Sequence, residues 1–305
     1  MKQHFDLAVA WDWEFDREFV RILESYIQEQ RLLFYSVTHH NVNETLRNLQ
    51  NHDLDFGVFL DRASDADEKF LPLTRFLLKT NTRIINPPEA IHHAADKATM
   101  HLEFLSEGID VPFTIIVSPY AKKKEAGLSL SDLAHLGRPF IIKPANTTGG
   151  GIGVITGAET LKDVIDSRQH HKNDKYLLQE KVKPIILDGK KSWYRVFFIF
   201  GQVLPCWWDD QTHMYTMMTK GDVVTHGLRP LITITKKIEE VCKLDFFSTE
   251  IAATSERKFI AVDYVNEICD MRLASLHADG VPDLVVHEIC RKIARHMKKP
   301  KSQSA

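Results

Sequence analysis

Cysteine is scarce in this chain of 305 residues: there are four, and no two form a C-x-x-C pair. Cys206, Cys242, Cys269 and Cys290 stand apart in sequence, which argues against a zinc site or a disulfide framework and leaves reduced thiols as the expectation. Long apolar runs are also missing. The longest strongly apolar stretch, VFFIF at 196–200, falls far short of the roughly 18 residues that mark a membrane helix. The early patch from Leu7 to Trp11 is too short for a signal-peptide core and runs straight into acids, so no secretory leader is expected. Neither charge sign dominates, with 39 Lys and Arg against 41 Asp and Glu and a net charge of −2. That balance gives no reason to expect nucleic acid or a membrane surface as the main partner. Internal repeats and low-complexity segments are absent. The expectation is a cytoplasmic globular protein, and a 44% hydrophobic, 26% charged composition is ordinary for one.

Residues 1–86 alternate short apolar strands (HFDLAVAWD, RLLFYSVT, LDFGVFLDR, TRIINPP) with segments of helical spacing. In REFVRILESYIQEQ the apolar residues fall at Phe19, Val20, Leu23, Tyr26 and Ile27. NVNETLRNLQNH reads as a helix entered through Asn43. This alternation predicts a small α/β domain with a parallel sheet and helices on its faces. Residues 89–108 predict one continuous helix that Gly108 stops. Beyond it the pattern turns to hairpins: RPFIIKPA with GIGVITG, the two strands of SWYRVFFIFGQVLPCWWDD turning at Gly201-Gln202, and FFSTEIAAT with KFIAVDYVNE. Helices are expected in GAETLKDVIDSR, KKIEEVCKLDF and PDLVVHEICRKIARHMKK. A disordered tail is expected over 298–305.

Chemistry gathers in RPFIIKPANTTGGGIGVIT, where Lys143 interrupts an apolar strand and a glycine-rich loop follows. Glycine lets backbone N–H groups approach an anion closely, and the ammonium adds a point charge. No G-K-[ST] occurs, which rules out a P-loop. The loop leads into a strand and not a helix, unlike a dinucleotide fingerprint. The lysine precedes its loop, the reverse of a protein kinase. What remains is a hairpin tip folding over a nucleotide, or a plain surface hairpin with a stray lysine. Lys97 follows Asp96 in the 89–108 helix and faces either a ligand or solvent. Gln179, Glu180 and Lys181 end an apolar strand, placed to pair with an adenine edge or simply to close an edge strand. Glu250 and Asp263 fall on adjacent strands, with Asn266 three residues on. These are hard-oxygen donors suited to Mg2+, or else hydrogen-bonded acids at strand ends. An acid within the apolar FIAVDYVNE is unfavourable unless paired or metal-bound.

Taken in this order, the segments resemble the ATP-grasp superfamily over roughly residues 86–295, in its glutathione-synthetase-like and ribosomal-protein glutamate-ligase-like branches. The resemblance implies an α/β fold with α+β lobes: a 1–86 domain of the kind that precedes the ATP-grasp fold, and an ATP-grasp domain over 87–297 with a nucleotide cleft between its lobes. It implies ATP contacts from Lys97 of DKATM, from Lys143 of IIKPA, and from Thr148, Gly149, Gly150, Gly151, Ile152 and Gly153 of TTGGGIGV. Adenine contacts would come from Gln179, Glu180 and Val182 of LLQEKV, with Lys181 between them. Arg195 of WYRVFFIFG would reach the transferred phosphate, and Glu250, Asp263 and Asn266 would hold Mg2+ or Mn2+. The implied activity joins a small-molecule carboxylate to an amine or thiol through an acyl phosphate, and relatives are often homo-oligomers.

Three positions depart from that pattern. Trp193 stands where the family's D-x-R strand has its aspartate, which leaves Arg195 without that partner. Asp263 and Asn266 are separated by two residues instead of one, which opens a ligand role to Glu267. NEICDMR follows the asparagine where a proline is common. These departures keep open a catalytically silent nucleotide-binding module; a phosphotransferase on the same fold is a second alternative, although it would need a more basic acceptor pocket than this nearly neutral chain suggests. For the substrate, Trp11 and Asp12 lie at the end of the first strand, where ligands of open α/β sheets collect. Arg229 and Arg272 are candidates to grip an acidic substrate, since the guanidinium fork suits carboxylate and phosphate.

Overall fold

Residues 2–146, 151–255 and 258–298 are described by the structure, a computed structural model. Strands β1 (Gln3–Trp11), β2 (Phe34–Val37), β3 (Leu54–Arg62) and β4 (Arg83–Ile85) pair in parallel, in the order β2-β1-β3-β4. Helices α1 (Arg17–Glu29), α2 (Val42–Gln50) and α3 (Leu71–Leu77) make the crossovers. As its spacing predicts, α1 buries Phe19, Val20, Leu23 and Ile27. The start of α2 differs from expectation: Asn41 and not Asn43 holds the cap position. Its side chain accepts from the N–H of Thr38 and donates to the carbonyl of Ser36.

The single helix expected over 89–108 is two, α4 (Pro88–Ala95) and α5 (Lys97–Ser106). Asp96 between them is extended, and its carboxylate caps α5 by accepting from the N–H groups of Ala98 and Thr99. Aspartate favours this cap position over a helix interior, and Lys175 pins the same carboxylate at 2.8 Å. The break has a consequence for the site. Lys97 becomes the first residue of α5, with its N–H bonded to the carbonyl of Ala145 at 3.1 Å.

A second, antiparallel sheet runs β5-β8-β6-β7, from β5 (Thr114–Val117), β6 (Phe140–Pro144), β7 (Ile155–Ala158) and β8 (Tyr176–Gln179), with α6 (Leu130–Leu136) and α7 (Leu161–Arg168) between its strands. The β6–β7 hairpin is the expected one, although β7 begins only at Ile155. After a short pair, β9 (Ile186–Leu187) and β10 (Lys190–Lys191), comes the largest sheet. It is built from β11 (Trp193–Ile199), β12 (Gln202–Trp208), β13 (Tyr215–Met217), β14 (Phe246–Ala253) and β15 (Phe259–Asn266), in the antiparallel order β13-β12-β11-β14-β15. The β11–β12 turn falls on Phe200-Gly201, one residue before the expected place, because Ile199 pairs with Gln202. Both turn residues take positive φ, the twist that two-residue hairpins need. Helices α8 (Lys220–Thr225), α9 (Arg229–Cys242) and α10 (Asp283–Met297) complete the described chain. Of the tail expected over 298–305, only Lys298 is described, at the end of α10; the rest lies outside the described residues.

One apolar core joins α1, α10 and a face of the parallel sheet to Phe197, Ile199 and Phe246 of the large sheet. Two polar links lock the same junction. Arg62, at the end of β3, pairs with buried Asp16 and donates to the carbonyl of Cys269. Asn86, just after β4, exchanges two hydrogen bonds with the backbone of Phe246. The C-terminal edge of the parallel sheet is thereby held against the loop that follows β15. All four cysteines are buried and free. No described helix is long and apolar enough to cross a membrane.

Candidate active site

A cleft of about 680 Å³ is lined from one side by β6 and β8 and from the other by β11, β14 and β15. Strand pairing sets its floor. Arg195 on β11 is the cross-strand partner of Glu250 on β14, and Glu250 is the partner of Asp263 on β15. Directly opposed residues share a face of a sheet, so one cation and two carboxylates form a row. An Nη2 of Arg195 lies 2.8 Å from Glu250 Oε1, and the indole Nε1 of Trp193 donates to Glu250 Oε2 at 3.1 Å. Arg195 is therefore not left without a partner by the tryptophan at 193, because Glu250 takes that place.

The unusual spacing of Asp263 and Asn266 has a geometric answer. In a regular strand, residues three apart point to opposite faces. The β14–β15 ladder, however, shifts register on both sides of Glu250, so that Asn266 pairs with Ser248 while Asp263 pairs with Glu250. Ser248 and Glu250 are two apart on β14 and both line the cleft, so their partners share that face too. Extra residues on β15 do this, as bulges near functional sites commonly do. Glu267 also lines the cleft.

Lys143 faces this row from β6 and is only 6% exposed. Its ammonium donates to the carbonyl of Val262 at 3.0 Å and lies 5.6 Å from the centre of the Tyr264 ring. Burial lowers its pKa and Lys97 adds to the effect, while Asp263 and Glu250 pull the other way. Burial raises the pKa of Glu250, with Asp263 adding to the rise against the pull of Arg195. Burial works in the same direction on Asp263, but Lys143, then Lys97 and Arg195, outweigh it and hold that carboxyl below its usual range. Asp263 is the readily ionised member of the pair. Its side chain makes no hydrogen bond among the described residues.

No family model matches the chain, and no curated protein matches it. Solved structures do match. A RimK domain ATP-grasp protein from Sphaerobacter thermophilus aligns at a TM-score of 0.68 and 17% identity, over 96% of this chain and 99% of that one. The ATP-grasp ligase PsnB, complexed with a minimal precursor, Mg and ADP, aligns at 0.64 and 15%, over 96% and 99%. The macrocyclase MdnC from Microcystis aeruginosa, bound with the precursor peptide MdnA, aligns at 0.65 and 11%, over 97% and 99%. The chain has the ATP-grasp fold.

Within this ATP-grasp cleft the expected nucleotide residues converge unevenly. Lys97, Lys143, Gly151, Gln179, Glu180, Lys181 and Val182 all line it. Ile152 and Gly153 follow Gly151 in the turn before β7, and Thr148, Gly149 and Gly150 lie outside the described residues. Of the residues expected to meet adenine, two have side chains that are already engaged. The amide of Gln179 donates to the Tyr264 hydroxyl at 2.8 Å and to Thr114 Oγ1 at 3.0 Å, and Glu180 accepts from the N–H of Phe113. These side chains are tied to the protein, so an adenine edge would rely on backbone groups.

The donor set fits magnesium. Glu250, Asp263 and Asn266 share one face, and they offer oxygen atoms suited to a hard cation. No cluster of three or more His, Cys, Asp or Glu that could hold a metal occurs among the described residues, so the amide oxygen of Asn266 would be needed as the third protein ligand.

The expected substrate residues fare differently. Arg272 lines the cleft, but its guanidinium donates to both Asp270 and Asp279, at 2.7 and 2.9 Å. It is committed to two carboxylates and not open to an acidic substrate. Arg229 is exposed at the start of α9 and is not among the lining residues. Trp11 donates to Ser36 Oγ, Asp12 pairs with His39, and neither lines the cleft. From the same loop it is Trp13 that comes close, with its ring 5.7 Å from the Arg272 guanidinium.

Two residues behind the cleft escaped the sequence reading. The hydroxyl of Tyr264 sits 2.6 Å from His101 Nδ1 while also accepting from Gln179. Burial, with help from Lys143, lowers the His101 pKa to about 4, so the ring is neutral near pH 7 while it shares a hydrogen bond with the tyrosine hydroxyl. A histidine on a helix face gives no hint of a partner 163 positions away.

Proposed function

We propose that the chain is an ATP-dependent ligase that joins a carboxylate to an amine or a thiol through an acyl phosphate. The observation that carries this reading is the Arg195–Glu250–Asp263 row facing Lys143 across one cleft. In this reading the ATP-grasp domain spans 87–297, and the 1–86 domain precedes it. A substrate carboxylate attacks the γ-phosphorus of ATP and ADP leaves; the nucleophile then displaces phosphate from the acyl group.

Such a reaction needs mainly positioning and charge neutralisation. Lys97 and Lys143 bind and neutralise phosphate oxygens, and Arg195 supplies positive charge where the phosphoryl group moves. Glu250, Asp263 and Asn266 would hold magnesium, which when bound adds further neutralising charge. The glycine turn before β7 excludes water, which would otherwise hydrolyse an acyl phosphate. Because MdnC is bound with a precursor peptide, the substrate class extends from small molecules to peptide-borne carboxylates and amines.

The test is incubation with Mg-ATP and pooled amino acids and peptides. ADP release that depends on an acceptor and yields a new amide or thioester supports the ligase. A phosphorylated acceptor as the stable product would make the protein a phosphotransferase. Nucleotide binding without ADP release under any condition would make it a silent module.

A further inference from the structure

Trp193 and Arg195 stand two apart on β11, so both turn to the same face, and both reach one carboxylate. Arg195 holds Glu250 Oε1 at 2.8 Å, and Trp193 donates to Glu250 Oε2 at 3.1 Å. Each oxygen has its own donor, and two donors from one strand fix the plane of the carboxylate. The indole is itself held, being 9% exposed and packed with Trp208 and Ala252. Val182, in the segment that follows β8, packs on the same group. A carboxylate at 193 would place a third anion beside Glu250 and Asp263, whereas an indole N–H orients Glu250 without adding charge.

We propose that Trp193 is a positioning residue whose indole N–H holds Glu250 in the orientation that a magnesium nucleotide requires. The inference rests on the ligase reading and names a residue for which that reading has no role. Groups that orient metal-binding carboxylates typically change metal affinity by 10- to 100-fold when lost.

The experiment compares wild type with Trp193→Phe and Trp193→His. Phenylalanine keeps an aromatic ring and removes the donor; histidine keeps a ring N–H on a smaller ring. ADP binding is measured by calorimetry with and without magnesium, and thermal midpoints are recorded alongside. The expected result is that Trp193→Phe weakens magnesium-dependent ADP binding about tenfold, with magnesium-free binding and the thermal midpoint close to wild type. Trp193→His should recover most of the lost affinity. A packing role predicts the opposite order, with phenylalanine tolerated and histidine weakened, and that order overturns the proposal. Loss in both variants would assign the effect to ring shape and overturn it as well. Wild-type protein that fails to bind Mg-ADP at all would instead sink the ligase reading, which keeps the two failures distinct.

Discussion

Arg195 and Glu250 stand directly opposite each other on β11 and β14, and their side chains meet at 2.8 Å while only 15% and 11% exposed. A pair this buried is sensitive to the loss of one member, because the other remains as an uncompensated charge. Arg195→Met is expected to destabilise the protein by about 3–5 kcal/mol, measured by urea unfolding. Adding Glu250→Gln should restore much of that loss, since no lone charge then remains. Additive effects in the double variant would mean that the two residues are not energetically coupled.

Lys143 provides the second prediction. Its stem lies within the apolar β6 and its ammonium faces the carboxylate row, so alanine would remove both packing and charge. Lys143→Met keeps most of the stem and isolates the charge. Both variants are expected to lose ATP affinity and to slow any turnover on the order of 10²–10³-fold. Calorimetry showing unchanged ATP affinity for Lys143→Met would remove the lysine from the nucleotide site.

The parts of this site that were legible in sequence are the local ones. Lys143 announces itself as a charge in an apolar strand followed by glycines, and the parallel sheet follows from strands alternating with helices. Glu250 and Asp263 lie on the two arms of one hairpin, so their proximity is nearly local. The partner of Arg195 is not, because it depends on how β11 pairs with β14. The bulges that return Asn266 to the face of Asp263 exist only in the ladder between two strands. Arg272 shows the same limit from the other side. A sequence displays its charge but not that Asp270 and Asp279 close on it from both directions. The single helix read over 89–108 misses the break at Asp96, because aspartate serves as a cap or a tolerated interior residue and its partner Lys175 lies 79 positions on.

Gly151 and Gly153 allow a controlled comparison. Both take left-handed backbone, with φ of +78° and +77°, so alanine at either costs about 1–2 kcal/mol. They differ in their surroundings. A Cβ at 151 would meet nothing within 4 Å, whereas at 153 it would lie 3.1 Å from Pro144 Cγ. Gly153→Ala must therefore push on the residue next to Lys143. It is expected to lower the thermal midpoint further and to raise the KM for ATP more than Gly151→Ala does. Equal effects of the two substitutions would show that the Pro144 contact plays no part.

The His101–Tyr264–Gln179 chain predicts a pH dependence with a definite sign. Buried His101 has a pKa of about 4 in the folded protein against 6.5 for an ordinary histidine. Between those values the unfolded chain takes up a proton that the folded one refuses, so stability falls as pH drops from 6.5 toward 4. The contribution is on the order of 3 kcal/mol across that window. His101→Asn removes the titration and keeps a polar side chain able to hydrogen-bond the Tyr264 hydroxyl. Urea unfolding at neutral pH and again near the lower end of the window should show wild type losing its advantage over the variant by about that amount. A difference that stays constant with pH would mean that His101 takes its proton as readily folded as unfolded.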